Sequence, residues 1–288
     1  MPLNIIHTMP LLIRSDDALG YDVAMLRRAA ESLRASDDHT LVVYNQGGLS
    51  NAQLSGLFGA FGLAPVILGD GANVGIAQAR QSCFRYVWDR FKEVPYISEI
   101  HVDMAFPRNW HVPLIAYLES SDDPLVCPGI LTSGGELQPL GLYGTVPQQT
   151  DELIAYLESL SRNEIREGFV HPVVHKSAAL REVGGYDTRF MKGKQGYEDD
   201  SLLVGYSFYM GTRNRWKPKC CLHSWVYHAT MAQRMSLPDR HADFTLNETG
   251  LFQKYGAYGL EQLSALYPNS KVFEQLLQKF VPQGNGRE

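Results

Sequence analysis

Short apolar runs alternate with longer segments of helical spacing through the first half of the chain. The apolar runs predict strands at 3–8, 39–45, 64–69, 95–103 and 124–131. Between them, a spacing near 3.6 predicts helices at 18–36, 51–61, 74–91 and 109–120. Their expected N-caps are Ser15, Asp16 or Asp17 for the first, Ser50 for the second and Asn73 for the third. Strands separated by helices of this length predict βαβ units and a mostly parallel sheet.

The second half of the chain has a different pattern. It predicts an antiparallel excursion at 137–146, an amphipathic helix at 151–167 and one or two strands at 215–228. The stretch 168–190 predicts a strand and a short helix, and 193–211 a glycine-rich loop that opens a helix. Helical spacing resumes from Ser236, and a polar tail at 282–288 is expected to be frayed. We therefore divide the chain into a domain at 1–235 and a C-terminal helical extension at 236–288.

Composition narrows the class of protein. The 288 residues are 44% hydrophobic and 20% charged, which is typical of a globular chain. A net charge of −5 argues against a nucleic-acid partner. No window approaches the apolar length of a membrane span, and the start lacks signal-peptide features. The four cysteines show no metal or disulfide spacing, so we expect free buried thiols in a soluble, cytoplasmic protein.

Two polar side chains stand at the end of the strand predicted at 95–103. His101 and Asp103 are two residues apart, and in an extended chain such residues point to one face. Ligands of parallel sheets bind at the carboxyl ends of strands, so a divalent metal is the first candidate. The alternative is a polar loop with two solvated side chains. His228 becomes a candidate third ligand only if the first two hold a metal.

Three acids, Glu198 to Asp200, begin a predicted helix in "GYEDDSLL". Acids in a first turn favour the helix dipole and cap free N–H groups. The alternative is that one of them is a general base at the mouth of the sheet. In "NVGIAQAR", Gly75 and a helix N-terminus are weak signs of an anion site, with Arg80 two turns further on. The absence of nucleotide-binding glycine motifs argues against an ordinary dinucleotide oxidoreductase or a phosphate-loop NTPase.

Taken in order, these segments resemble the family 2 glycosyltransferases and their GT-A relatives over about residues 1–230. The resemblance rests on "LNIIHTMP", "LVVYNQGGLSN", "NVGIAQARQ", "SEIHVDMAFPRNW" and the long stretch from "FVHPVVHKSAALREVGGYD" to "GKQGYEDDSLLVGYSFYMG". It implies an α/β fold of the GT-A type, a Rossmann-like mixed sheet flanked by helices. It also implies transfer of a sugar from a UDP- or GDP-sugar to a glycan, lipid-linked or protein acceptor.

The resemblance assigns roles at the metal and at the base. Asp103 would bridge a Mn²⁺ or Mg²⁺ ion and the diphosphate, and His228 matches a late metal-ligand histidine of the family. Asp199 matches the catalytic base, although Glu198 or Asp200 could take that place. Displacement assisted by such a base would invert the anomeric configuration. A retaining transferase of the same fold and a catalytically inactive nucleotide- or sugar-binding module are the alternatives.

The sequence also departs from the family. His101 replaces the first acid of the D-x-D motif, which favours Mn²⁺ over Mg²⁺ or points to a ribose or sugar contact instead. Tyr44 or Asn45 replaces the strand-two acid that many relatives use on the base. The donor-binding residues implied by the resemblance are Thr8, Tyr44, Asn45, Asn73, Gly75, Arg80, His101 and Val102.

Other assignments carry less weight. The segment "FMKGKQGY" is expected to be a mobile lid, in which Lys192 and Lys194 are candidate phosphate contacts or solvated surface lysines. His171 and His175 are expected to be structural or on the acceptor side. The C-terminal helices would cover the acceptor side or mediate formation of a homo-oligomer.

Overall fold

The computed structural model describes residues 5–14, 20–36, 40–230, 240–267 and 270–281. Its strands are β1 Ile5–Leu11, β2 Leu41–Asn45, β3 Val66–Leu68, β4 Tyr96–Glu99, β5 Met104–Ala105, β6 Leu125–Thr132, β7 Glu136–Gln138, β8 Leu142–Tyr143, β9 Ile165–Glu167, β10 Val173–Lys176 and β11 Lys219–His228. Its helices are α1 Tyr21–Leu33, α2 Asn51–Gly59, α3 Ile76–Arg90, α4 Val112–Glu119, α5 Thr150–Ser159, α6 Ser177–Glu182, α7 Glu198–Met210, α8 Arg240–Leu266 and α9 Val272–Phe280.

A single mixed sheet organises the described part of the chain. Its strand order is β3-β2-β1-β4-β10-β6-β11-β5. The strands β3, β2, β1 and β4 run parallel, and β10 lies antiparallel between β4 and β6. The strand β11 is parallel to β6, and β5 pairs antiparallel with the end of β11. The predicted α/β architecture, a mixed sheet flanked by helices, is confirmed.

Apolar side chains cover both faces of the sheet. All seven residues of β1 are buried, as expected for a strand between two layers of helices. On one face, Met9 packs in a cluster with Leu26 of α1 and Leu54 of α2. On the other face, Ile6 packs in a cluster with Phe84 of α3 and Leu203 of α7. The helices thereby hold the carboxyl ends of the strands in fixed positions.

Several predicted boundaries are correct and others are wrong. Ser50 caps α2 through a capping box with Gln53, as predicted. The helix predicted at 151–167 ends at Ser159, because residues 165–167 pair with β11 as strand β9. That edge pairing overrides the helical spacing of the segment. The expected cap residues at 15–17 and the tail at 282–288 lie outside the described residues.

Two corrections concern the segments that carry the candidate chemistry. Asn73 does not cap α3: the N-cap is Gly75, and Asn73 Oδ1 accepts a hydrogen bond from the Gly75 N–H at 3.1 Å. The strand predicted at 95–103 ends at Glu99. His101 to Asp103 form a turn instead, since the chain must leave β4 to place β5 beside β11.

The C-terminal helices pack against the domain. Helix α8 is interrupted at Gly256, whose φ of 63° lies outside the helical region, and α9 packs against it. The domain boundary at 235/236 stays a prediction. Among the described helices, none is long and apolar enough to cross a membrane. The four cysteines, Cys83, Cys127, Cys220 and Cys221, are buried and free, as predicted.

Candidate active site

A cavity of about 320 Å³ opens at the carboxyl ends of the central strands. It begins beside Leu12 and Gln46, which directly follow β1 and β2, and it reaches His228 at the end of β11. Predicted site residues form much of its wall: Asn73, Arg80, His101, Val102, Asp103, Glu198, Asp199 and His228. This is the edge at which sheets of this kind bind ligands.

The pairing of β5 with β11 brings Asp103 next to His228. Met104 lies opposite His228 in this antiparallel pair, and the Ala229 N–H donates to the Asp103 carbonyl at 2.9 Å. Ligand atoms of His101, Asp103 and His228 all lie within 4.8 Å of one another. The sequence argument placed these side chains together for the wrong reason, because a turn and a strand pair bring them together.

Asp103 and His228 fit a divalent cation. Asp103 Oδ1 lies 3.5 Å from His228 Nε2, and each side chain is 11% exposed. His228 Nδ1 lies 3.1 Å from the His171 carbonyl oxygen, to which it donates. That bond places the His228 proton on Nδ1 and leaves the Nε2 lone pair facing Asp103, as in many metal sites. A carboxylate and an imidazole suit Mn²⁺ better than Mg²⁺.

His101 fits the same cation less directly. Arg80 Nη2 lies 2.6 Å from His101 Nε2, and because a guanidinium only donates, Nε2 must accept. Burial, together with His171, Arg80 and His228, holds the pKa of His101 well below its usual range. Neutral His101 then carries its proton on Nδ1, which lies 3.3 Å from His228 Nε2 and donates to it. His101 can bind a cation through Nδ1 only if the contact with Arg80 is released.

Arg80 is the centre of a buried ionic network below the cavity. Its side chain is 1% exposed and pairs with Glu99 at 3.0 Å and with Asp199 at 2.5 Å. Its Nη1 also donates to the Tyr186 hydroxyl at 2.9 Å. Burial lowers the pKa of Arg80, but the electrostatic interactions with Asp199, Tyr186 and Glu99 outweigh burial and raise it well above its usual range. The guanidinium therefore stays charged.

A second layer of the network lies deeper. Glu99 is fully buried and contacts His175 Nε2 at 2.7 Å, while His175 Nδ1 lies 2.9 Å from the Tyr206 hydroxyl. The Tyr186 hydroxyl lies 2.9 Å from Glu99 Oε2 and 2.9 Å from Asp199 Oδ1. Burial raises the pKa of Tyr186 well above its usual range, so the hydroxyl keeps its proton. His175 has a structural place here, consistent with the role expected for it.

The three acids at the start of α7 point in different directions. Asp199 is 28% exposed, lines the cavity and contacts Arg80, Tyr186 and His171. Among the described residues, these contacts all involve Oδ1 and none involves Oδ2. Glu198 also lines the cavity but is only 4% exposed. Asp200 is absent from the cavity wall and raises the pKa of Tyr267, after the larger effect of burial.

Some residues expected to bind the donor are used by the fold itself. Thr8 is buried and donates to the Ser98 carbonyl at 2.7 Å. Asn45 is 1% exposed and holds the turn after β2 through Leu49, Asn51 and Gly47. Neither of these residues is among those described as lining the cavity, nor are Tyr44 and Gly75. Their roles in binding stay predictions.

Sequence reasoning missed other residues of the cavity wall. Gln46 and Gln195 line it, and each is only 5% exposed. Gln46 is the residue directly after the predicted strand, one position beyond Asn45. The residue directly after each predicted parallel strand was therefore the sequence position from which Gln46 could have been identified. Leu12 also lines the cavity. So does His171, for which a structural or acceptor-side role was expected, and it stacks on His101 with 4.8 Å between ring centroids.

Comparison with solved structures identifies the fold. The S. aureus TarS structure aligns with a TM-score of 0.53 at 12% identity, over 94% of this chain and 44% of that one. GalNAc-T7 with UDP, GalNAc and Mn²⁺ aligns with a TM-score of 0.58 at 12% identity, over 96% of this chain and 54% of that one. This chain thus spans about half the length of each. It has the GT-A glycosyltransferase fold.

A shorter form of TarS gives the same result. TarS 1-349 in complex with UDP aligns with a TM-score of 0.52 at 12% identity, over 98% of this chain and 81% of that one. No protein-family model and no curated protein sequence matches this chain. The resemblance read from the sequence is therefore confirmed at the level of fold.

Proposed function

We propose that this chain is a metal-dependent glycosyltransferase that moves a sugar from a nucleotide-diphosphate sugar to an acceptor hydroxyl with inversion. The observation that carries the proposal is that Asp103 and His228, suited to a cation, line the same cavity as Asp199, which is held from below by Arg80 and Tyr186. A cation site and an oriented carboxylate in one cavity are what this transfer needs.

The donor would lie along the cavity from the end of β2 to the start of α7. Pro10 and Leu12 supply apolar walls for the nucleoside, with Gln46 beside them. Asp103 and His228 would hold Mn²⁺ or Mg²⁺, and this cation, when bound, would offset the charge of the departing diphosphate. The UDP and Mn²⁺ bound by the structural neighbours make a UDP-sugar with Mn²⁺ the first donor to test.

Asp199 would act as the base. Arg80 and Tyr186 hold Oδ1, and the remaining oxygen of the carboxylate would be the one that meets the acceptor. It would take the proton of the acceptor hydroxyl as that oxygen attacks the anomeric carbon. Because the leaving diphosphate departs from the opposite face, the configuration inverts. The acceptor would be a glycan, a lipid-linked sugar or a protein.

Slow hydrolysis of UDP-sugars with Mn²⁺ tests this proposal. We expect the wild type to release UDP from at least one of UDP-GlcNAc, UDP-GalNAc and UDP-glucose, with inverted configuration of the sugar. Asp199→Asn should reduce turnover by about 10²–10⁴-fold, the usual contribution of a positioned base. Asp200→Asn is the matched control and should retain turnover, since Asp200 faces Tyr267.

Three outcomes would contradict the proposal. Absence of turnover with every donor, in a protein that still binds UDP, would favour an inactive binding module. Retention of configuration would favour a retaining transferase. Unchanged turnover in Asp199→Asn would remove the carboxylate from the chemistry.

A further inference from the structure

The loop from Gly193 to Gly196, expected to be mobile, is fastened to helix α8 by one buried amide. Asn247 is fully buried, and its Oδ1 accepts from the Gly193 N–H at 2.7 Å. Its Nδ2 contacts the carbonyls of Gly193 at 3.2 Å, Gln195 at 3.3 Å and Gly196 at 2.7 Å. One side chain thus pairs with one N–H and three carbonyl groups of the loop backbone, which makes local opening costly.

Packing holds the same loop from two further directions. Asp243 accepts from the Lys194 N–H at 3.0 Å, and Gly193 lies so close to the Asp243 backbone that no side chain would fit there. On the opposite side the Ile76 N–H donates to the Lys194 carbonyl at 2.9 Å. A Cβ on Gly75 would lie 2.9 Å from Lys194 Cα, so glycine at this position permits the close approach. The loop is therefore a fixed part of the cavity wall.

This wall presents an amide that is not satisfied by the described part of the protein. Gln195 lines the cavity at 5% exposure, and its buried Nε2 has no hydrogen-bond partner among the described residues. Leaving a buried donor unpaired costs stability, and such groups are rare in proteins. The loop holds this N–H₂ group on the cavity wall without a partner in the part of the chain that the structure describes. We therefore expect an oxygen atom of a ligand to accept its hydrogen bond.

The position of Gln195 indicates which part of the ligand carries the oxygen that accepts this hydrogen bond. Gln195 precedes Glu198 by three residues and the proposed base Asp199 by four. Gln46, the other buried amide with an unpaired atom among the described residues of the cavity wall, directly follows β2, on the side where we place the nucleoside. The nucleoside and the transferred sugar occupy opposite ends of a donor, so we assign Gln195, four residues before the proposed base, to the sugar end.

We propose that Gln195 is a specificity-determining residue that donates a hydrogen bond to an oxygen of the transferred sugar, and that Asn247 is its positioning residue. This inference rests on the proposed function, because it needs a donor whose sugar lies beside Asp199. It assigns helix α8 a part in donor selection through the loop that it fastens.

Calorimetric titration with UDP and with UDP-GlcNAc, UDP-GalNAc and UDP-glucose, all with Mn²⁺, tests the inference. Gln195→Met keeps the size of the side chain and removes no hydrogen bond found among the described residues. We expect its affinity for UDP to stay within about twofold of wild type and its affinity for the best-bound UDP-sugar to fall about five- to tenfold. Its melting temperature should be equal to that of the wild type or higher, whereas a structural role predicts a lower one.

Gln46→Met is the matched control, because it removes the equivalent amide at the nucleoside end. It should weaken UDP and UDP-sugar by the same factor. Asn247→Ala, if it folds by circular dichroism, should weaken UDP-sugar more than UDP. If Asn247→Ala does not fold, the titrations of Gln195→Met still test whether Gln195 binds the sugar.

Equal effects of Gln195→Met on UDP and on the UDP-sugar would overturn the inference and leave the proposed function standing. If Gln195→Met changed the affinity for neither UDP nor the UDP-sugar, the inference would also be overturned and the proposed function would stand. If the wild type binds neither UDP nor any of the three UDP-sugars, the proposed function fails and the inference fails with it.

Discussion

Two polar clusters border the same cavity, and they differ in how their charges are satisfied. Below the cavity, Arg80 is paired with Glu99 and Asp199 at 3.0 Å or less, and Glu99 is also bonded to His175. At its other side, Asp103 and His228 are partly exposed, with Asp103 Oδ1 3.5 Å from His228 Nε2, and among the described residues His228 Nε2 accepts only a long hydrogen bond from the neutral His101 at 3.3 Å. The first cluster supplies its own counter-charges, whereas the second leaves room for one.

This difference is the basis for assigning a positioning role to the first cluster and a cation-binding role to the second. A fully paired buried network cannot gain much from a ligand, but it holds Asp199, a carboxylate of this network that reaches the cavity. Two ligand atoms that face each other without a strong bond gain most when a cation lies between them. In the proposed function, the network below therefore orients Asp199, and the pair above would hold Mn²⁺. The following substitutions test this distinction.

Arg80→Met should have the largest effect. It removes the guanidinium and leaves the fully buried Glu99 and the partly exposed Asp199 without their cation, at a cost of about 3–5 kcal/mol in the free energy of unfolding. Urea denaturation measures this loss. Arg189→Met is the control, since Arg189 is 82% exposed and its partner Asp187 keeps a second cation, Lys254, so it should change the unfolding midpoint much less than Arg80→Met. A small loss in Arg80→Met would mean that the two acids do not depend on this charge.

Tyr186→Phe should have an intermediate effect. It removes a hydroxyl that contacts Arg80, Glu99 and Asp199 while it keeps the ring that stacks on Phe84. Hydrogen bonds to charged groups contribute about 1.5–3 kcal/mol, so the free energy of unfolding should fall by that amount. Turnover should fall as well, because Asp199 loses one of its supports. Tyr143→Phe, at an exposed tyrosine, should change neither quantity.

His101→Asp should have the smallest effect on stability. A carboxylate still accepts from Arg80 and adds a hard oxygen ligand beside Asp103. The ratio of UDP affinity with Mn²⁺ to that with Mg²⁺ should therefore decrease, by about tenfold or less. Parallel titrations with the two cations measure this ratio. Complete loss of UDP binding would instead mean that the imidazole has a specific role.

The sequence predicted the sheet and many of the residues around the cavity. Apolar runs and helical spacing locate most strands and helices, because burial on both faces of a parallel sheet leaves a clear pattern. The order of motifs then identified the fold. Arg80 was assigned to an anion site from its place on a helix, but its partners Glu99 and Tyr186 are 19 and 106 residues away in sequence. No local pattern reports such pairing.

Two further contacts could not be predicted from local sequence patterns, because they also join residues that are far apart in the chain. The pairing of β5 with β11 places Asp103 beside His228 across 125 residues of sequence. The contacts of Asn247 with the loop at 193–196 depend on how α8 packs, so Asn247 had no assignable role in the sequence. Only the folded chain brings these groups together.

The most direct test of the account is the Mn²⁺ dependence of UDP binding in the wild type and in Asp103→Ala and His228→Ala. We predict that Mn²⁺ tightens UDP binding to the wild type by about tenfold or more, equivalent to about 1.4 kcal/mol, and that neither variant shows this gain although both fold normally. Unchanged Mn²⁺ dependence in Asp103→Ala would contradict the account, because the cation would then lie elsewhere.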